Sequence, residues 1–186
     1  MKLLEAGLLI LFLFVGGVNG QTVPAYQRAL YLPHGWIDAD KDCQDARAEV
    51  LIRDSLAPVT FRGLRRCVVA TGRWRDPYTG IVYLEASEVE IDHRVALDRA
   101  HEDGAWAWPP ERKSAFANDL DYPGHLVAVG ITVNRAKGAK GPETWKPPLQ
   151  SGWCRYAESW SAIKASWGLS IRPAEQAALR EMLQTC

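Results

Sequence analysis

Two short apolar runs, Val89-Glu90-Ile91-Asp92-His93 and Leu126-Val127-Ala128-Val129-Gly130, do most to limit what this chain can fold into. Both have strand composition. The first ends in an acid beside a histidine, and the second leads into Asn134-Arg135-Ala136-Lys137-Gly138. Strand, strand, then a turn opening on an asparagine and basic residues can hold one divalent cation against a phosphodiester. Neighbours on a regular strand point to opposite faces, so Asp92 and His93 converge only where the strand ends or bulges. The pattern predicts an irregularity there.

Hydrolysis of a phosphodiester needs an activated water, a cation to neutralise charge on the phosphate oxygens, and groups that hold the backbone in line. His93 has the chemistry of a general base, because a neutral imidazole titrates near working pH. Asp92 and Asn134 offer the hard oxygen ligands that Mg²⁺ or Mn²⁺ accepts. Glu90 shares a face with Asp92 by the strand's period of two, where a structural salt bridge is its expected use.

The strings DHRVAL, RKSAFANDL, HLVAVG, NRAKG and ETWKPP, in this order and spacing, resemble the secreted HNH endonucleases, which are related to the C-terminal nuclease domain of GmrSD-type restriction enzymes. Upstream, GWIDADKDC, AEVLIRD and GRWRDPYTG extend the resemblance over most of the mature chain. It implies an α+β fold with a ββα-metal (HNH) hairpin and helix embedded in one disulfide-linked domain. It also implies His93 as general base and Asp92 and Asn134 as metal ligands. The family pattern has asparagine before LVAV where this chain has His125, a position that supports the hairpin loop in relatives; His125 and Asn118 are therefore expected in supporting roles. A basic residue near the scissile phosphate in relatives falls on Arg112 or Lys113. Arg135 and Lys137, with Lys140, are expected at a helix start opened by Asn134, where free N–H groups and positive side chains favour phosphate.

The chain begins with Lys2, an apolar run and a small-residue segment ending at Gly20, the pattern of an export signal cleaved after residue 20. The expected organisation is then a signal peptide at 1–20 and a nuclease domain at 21–186, secreted or periplasmic, with no membrane attachment after cleavage and nucleic acid as its partner. Removing Lys2 and Glu5 from 22 basic and 22 acidic residues leaves 21 of each. That balance excludes a long-range basic field, so contact with DNA or RNA must be local. With 47% apolar residues and eight Trp, the chain can build a core of its own and is expected to be a monomer.

Four cysteines in an exported chain point to disulfides. The expected pairs, Cys43–Cys67 and Cys154–Cys186, join neighbouring segments without crossing the hairpin, each contributing roughly 3 to 4 kcal/mol in the chain-entropy model. Asp38, Asp40, Asp42 and Glu49 match places one, three, five and twelve of a calcium loop, but place six is Cys43 rather than Gly. An acidic helix start before a helix over 43–56 is the weightier expectation, with a structural Ca²⁺ near Asp38, Asp40 and Asp42 the rival.

Strands are expected at 65–70 and 81–85, joined by the turn Asp76-Pro77-Tyr78-Thr79-Gly80. Arg73, Trp74, Arg75 and Tyr78 put cations among aromatics, a set that packs a turn or lies along a nucleic-acid backbone. Short helices are expected over 96–119, with Trp106 and Trp108 buried. Trp153, Tyr156, Ala157, Trp160, Ile163 and Trp167 form one buried helical stripe, and Pro173 starts a last helix. Two rival functions remain open on the residues alone: a zinc-dependent hydrolase using His34, His93, His101 and His125, and a nucleic-acid-binding protein on a nuclease scaffold.

Overall fold

The computed structural model describes residues 22–186, so the expected export signal lies outside the described residues. Helix α1, Ala46–Asp54, is capped by the Asp45 side chain, which accepts from Ala48 N at 2.9 Å. Strands β1 Thr60–Arg62, β2 Val68–Arg75 and β3 Val82–Glu85 form an antiparallel sheet in that order. The expected turn joins β2 to β3: Asp76 Oδ1 accepts from Tyr78 N and Gly80 takes φ +77°, a conformation open to glycine.

Strand β4, Val89–His93, is followed by the short helix α2, Leu97–Glu102, and by α3, Pro110–Ala117. Strand β5, Leu126–Gly130, pairs antiparallel with β4 from Val89↔Gly130 to His93↔Leu126 without a register shift. Helix α4, Ile131–Lys137, follows β5 directly. Helices α5, Trp153–Trp167, and α6, Pro173–Leu183, complete the fold, and Gly168 ends α5 at φ +68°. The result is a mixed α+β domain with both expected disulfides, Cys43–Cys67 and Cys154–Cys186.

The hairpin β4–β5 is packed on both faces, which explains why Leu126 to Gly130 is apolar without alternation. On one face Val89, Ile91, Leu126 and Ala128 join Val50 and Leu51 of α1 and Trp74 of β2. On the other, Val127 and Val129 join Val133, Tyr156, Trp160, Ile163 and Met182. The stripe on α5 is therefore core, as its spacing predicts.

Two details differ from the sequence-based expectation. Asn134 does not open a helix: it is the fourth residue of α4, so Arg135 and Lys137 lie in the last turn, and the N–H-rich end of α4 faces elsewhere. Trp74 and Tyr78 are buried, Trp74 Nε1 donating to Leu51 O at 2.7 Å, so these aromatics pack the turn instead of stacking on bases.

Candidate functional site

Strand β4 ends at His93, but its pairing with β5 is regular through Asp92↔Val127 and His93↔Leu126, so the expected irregularity between the two residues is not found. At the outer edge of β4, residues from both faces of the hairpin meet in a cleft of about 340 Å³. Ile91, Asp92 and His93 of β4, Asp98 of α2, and Asn134 and Arg135 of α4 line it, with Tyr26 and Arg28 closing it from the N-terminal segment.

His93 Nε2 donates to Ala117 O at 2.8 Å, which assigns the ring proton of the neutral form to Nε2 and leaves Nδ1 as the acceptor. Nδ1 has no partner among the described residues and is not sealed from solvent. Trp36 stacks on the ring at 5.4 Å and 11°, and His125 meets it edge-on at 6.2 Å. Burial drives the His93 pKa well below the ordinary imidazole value, and His125, Arg28 and Lys137 push the same way, against the bond to Ala117. At neutral pH the ring is an uncharged base held in one orientation.

Asp92 is almost wholly buried and its two oxygens are held: Tyr78 OH donates to Oδ2 at 2.6 Å and Lys137 Nζ to Oδ1 at 2.8 Å. Lys137 Nζ also donates to His93 O at 2.9 Å. Lys137 is thus an interior residue, not the surface cation expected at a phosphate; burial pulls its pKa down and Asp92 opposes that shift. Each carboxylate oxygen keeps a second lone pair, but the Lys137 ammonium repels a cation on Oδ1, so a hard cation held by Asp92 would take Oδ2. Asn134 Nδ2 donates to Glu90 Oε2 at 2.7 Å, leaving its carbonyl oxygen as the available ligand atom. Glu90 also pairs with Arg135 at 3.1 Å, the structural salt bridge its place on the strand predicts.

Arg112 and Lys113 do not reach this cleft. Both are engaged elsewhere: Arg112 lies over the Trp108 indole at 4.6 Å and donates to the main-chain Trp167 O, and Lys113 Nζ donates to the main-chain Trp106 O at 2.9 Å. Trp106 and Trp108 are half-buried rather than buried. Asn118 caps α3, donating to Ser114 O and accepting from Ile37 N. His125 is fully buried with Nδ1 3.0 Å from Asp119 Oδ2, and its carbonyl accepts from Arg94 N, so it braces the end of the hairpin where the connecting segment joins the two strands. Arg28 and Asp98 were missed by sequence reasoning. Asp98 stands immediately after the DHRVAL string, six positions past Asp92, and has no hydrogen-bond partner among the described residues; Arg28 lies far away in sequence and carries no local signal.

The other candidate ligands fall into two groups. Oxygens of Asp38, Asp40 and Asp42 lie within 4.8 Å of one another. Cys43, standing where a calcium loop has glycine, takes φ +79° and donates its N–H to Asp38 Oδ2 at 2.9 Å. Cys154 and Cys186 approach Glu158 but are joined as a disulfide. Among the described residues no such group contains a histidine, and His101 is held by Tyr31 OH and Pro24 O. The four histidines therefore build no zinc site.

Fold and cleft together define a disulfide-linked α+β domain with a histidine-centred cleft at the edge of a hairpin followed by a helix. The chain is 45% identical over 154 residues to an uncharacterized secreted protein of Arthroderma benhamiae, the match covering 83% of this chain and 72% of that one. It belongs to the same family as that secreted protein. No family model and no solved structure matches the chain. Among the described residues no helix is long and apolar enough to cross a membrane.

Proposed function

We propose that this protein is an exported, metal-dependent endonuclease of HNH type that hydrolyses phosphodiester bonds of DNA or RNA with little sequence preference. The observation that carries the proposal is the His93 ring: Nε2 anchored on Ala117 O, Nδ1 available, and the same cleft bordered by Asp92 and Asn134. Export agrees with the signal-like start of the chain and with the description of its relative as secreted.

In this proposal His93 Nδ1 takes a proton from the attacking water, and the fixed ring removes the need to reorient during the step. Asp92, through the remaining lone pair of Oδ2, and Asn134, through its carbonyl oxygen, would hold Mg²⁺ or Mn²⁺. When bound, such an ion neutralises charge on the phosphate and on the departing oxygen. Arg28 and Arg135, the cations bordering the cleft, take the positioning role expected of Arg112, Lys113 and Lys137. With no separate groove-reading element among the described residues, base preference is expected to be weak.

The test is plasmid digestion by the purified mature protein with EDTA, with Mg²⁺ added back, and beside His93→Ala. Cleavage that needs the ion and the imidazole supports the proposal. An intact plasmid under every divalent ion, with DNA bound equally by both proteins, would leave a binding protein on a nuclease scaffold.

A further inference from the structure

The β5 side of the hairpin carries a second cleft, about 490 Å³, that shares no lining residue with the one at His93. Its wall includes Arg75 at the end of β2, Arg94 just past β4 and Arg155 on α5; the same three arginines line an adjoining hollow of about 310 Å³. Arg75 and Arg155 are exposed, whereas Arg94 is 97% buried, being only 3% accessible.

Arg94 is held in place by neutral groups. Its Nε donates to Gly124 O at 2.9 Å, and its guanidinium lies over the rings of Tyr78 at 5.5 Å and Tyr156 at 5.3 Å. Its two terminal nitrogens have no hydrogen-bond partner among the described residues and are not sealed from solvent. None of the three arginines forms an ion pair among those residues. The nearby acids are otherwise occupied: Asp92 by Tyr78 and Lys137, Asp54 by Arg53 and Ala128 N, and Asp76 by the N–H groups of Tyr78, Thr79 and Gly130. Glu158 borders the cleft as well, exposed and without an ion pair of its own.

An interior cation held by a carbonyl and two rings, with its donor fork open to a cleft, has no carboxylate in ion-pair contact among the described residues, although Asp54, Asp76 and Glu158 border the same space. A lone carboxylate would satisfy a single guanidinium fork. Three guanidinium groups around one space suit a tetrahedral oxyanion that accepts from several sides. We propose that the cleft framed by Arg75, Arg94 and Arg155 is a phosphate-binding site, separate from the cleft at His93. It takes a phosphate group either free in solution or within a nucleic-acid strand. The site stands independently of the proposed cleavage reaction.

The test titrates the mature protein with sodium phosphate, with sodium chloride at matched ionic strength, and with a short oligodeoxynucleotide, following arginine Nε–H signals by NMR. The expected result is a saturable shift at Arg94 with phosphate or with the oligonucleotide and none with chloride. Saturation by inorganic phosphate assigns the group itself as sufficient; saturation by the oligonucleotide alone assigns a backbone phosphate. Arg75→Glu and Arg155→Glu, both at exposed positions, keep the fold and each weaken binding by roughly tenfold. Identical responses to phosphate and chloride, no saturable response to either phosphate source, or unchanged affinity in both variants would overturn the site.

Discussion

Lys137 Nζ lies 2.8 Å from Asp92 Oδ1, and neither side chain is more than marginally accessible. This buried pair ties the end of β4 to the last turn of α4, because the same ammonium also holds His93 O. Two elements that border the candidate cleft are thereby fixed to each other.

Replacing Lys137 with methionine leaves the Asp92 carboxylate buried with Tyr78 as its remaining partner. Breaking a buried pair from one side costs about 3 to 5 kcal/mol. The Lys137→Met protein should therefore unfold at a markedly lower urea concentration, with the slope of the transition unchanged. Adding Asp92→Asn removes the stranded charge, and the double variant should be less destabilised than the two single effects added together.

The pair also shows where sequence reasoning stops. A lysine beside glycines reads as a surface cation, and the acid that buries it stands 45 positions earlier. Contacts of that range leave no local trace. By contrast, the bounds of β4, the stripe on α5 and the two disulfides were legible, because each follows from composition or periodicity within one segment or between neighbouring ones. Asn134 was expected at a helix start and is misplaced there. Gly130 caps α4 without a side-chain signal, so the helix begins three residues earlier than the asparagine suggests.

The buried state of His93 fixes the sign of a pH effect. The unfolded chain takes up a proton on this ring below its ordinary value of about 6.5. The folded chain resists that proton to a much lower pH. Between those two values the unfolded state binds more protons, so stability falls as the solution is acidified, by at most about 1.4 kcal/mol per pH unit. Urea unfolding from pH 7.5 down to pH 5 should show this decline, and His93→Gln should flatten its contribution. A slope that persists unchanged in the variant would place its source elsewhere.

The Cys154–Cys186 bridge joins the start of α5 to the chain's last residue across 32 positions. In the chain-entropy model a loop of that length contributes roughly 3 to 4 kcal/mol. The Cys154→Ser, Cys186→Ser double variant should lose about that much in denaturant unfolding. Its earliest gain in amide exchange should fall in α6, whose Leu179 and Met182 dock into the main core close to the released end.

Gly130 joins β5 to α4 and is pressed against Tyr83 of β3: a methyl group there would lie 2.6 Å from Tyr83 Cζ. Its φ of −61° and ψ of 140° suit any residue, so space, not backbone freedom, demands the glycine. In Gly130→Ala either the tyrosine ring swings out or α4 shifts away. Overpacking of this kind costs about 1 to 3 kcal/mol. A shift of α4 would carry Asn134 with it, so cleavage should fall along with stability if the cleft works as proposed. Removing the ring in a Gly130→Ala, Tyr83→Ala protein should return cleavage toward that of Tyr83→Ala alone, even where the lost tyrosine packing keeps overall stability low. A double variant no more active than Gly130→Ala would show that Tyr83 is not what the added methyl displaces.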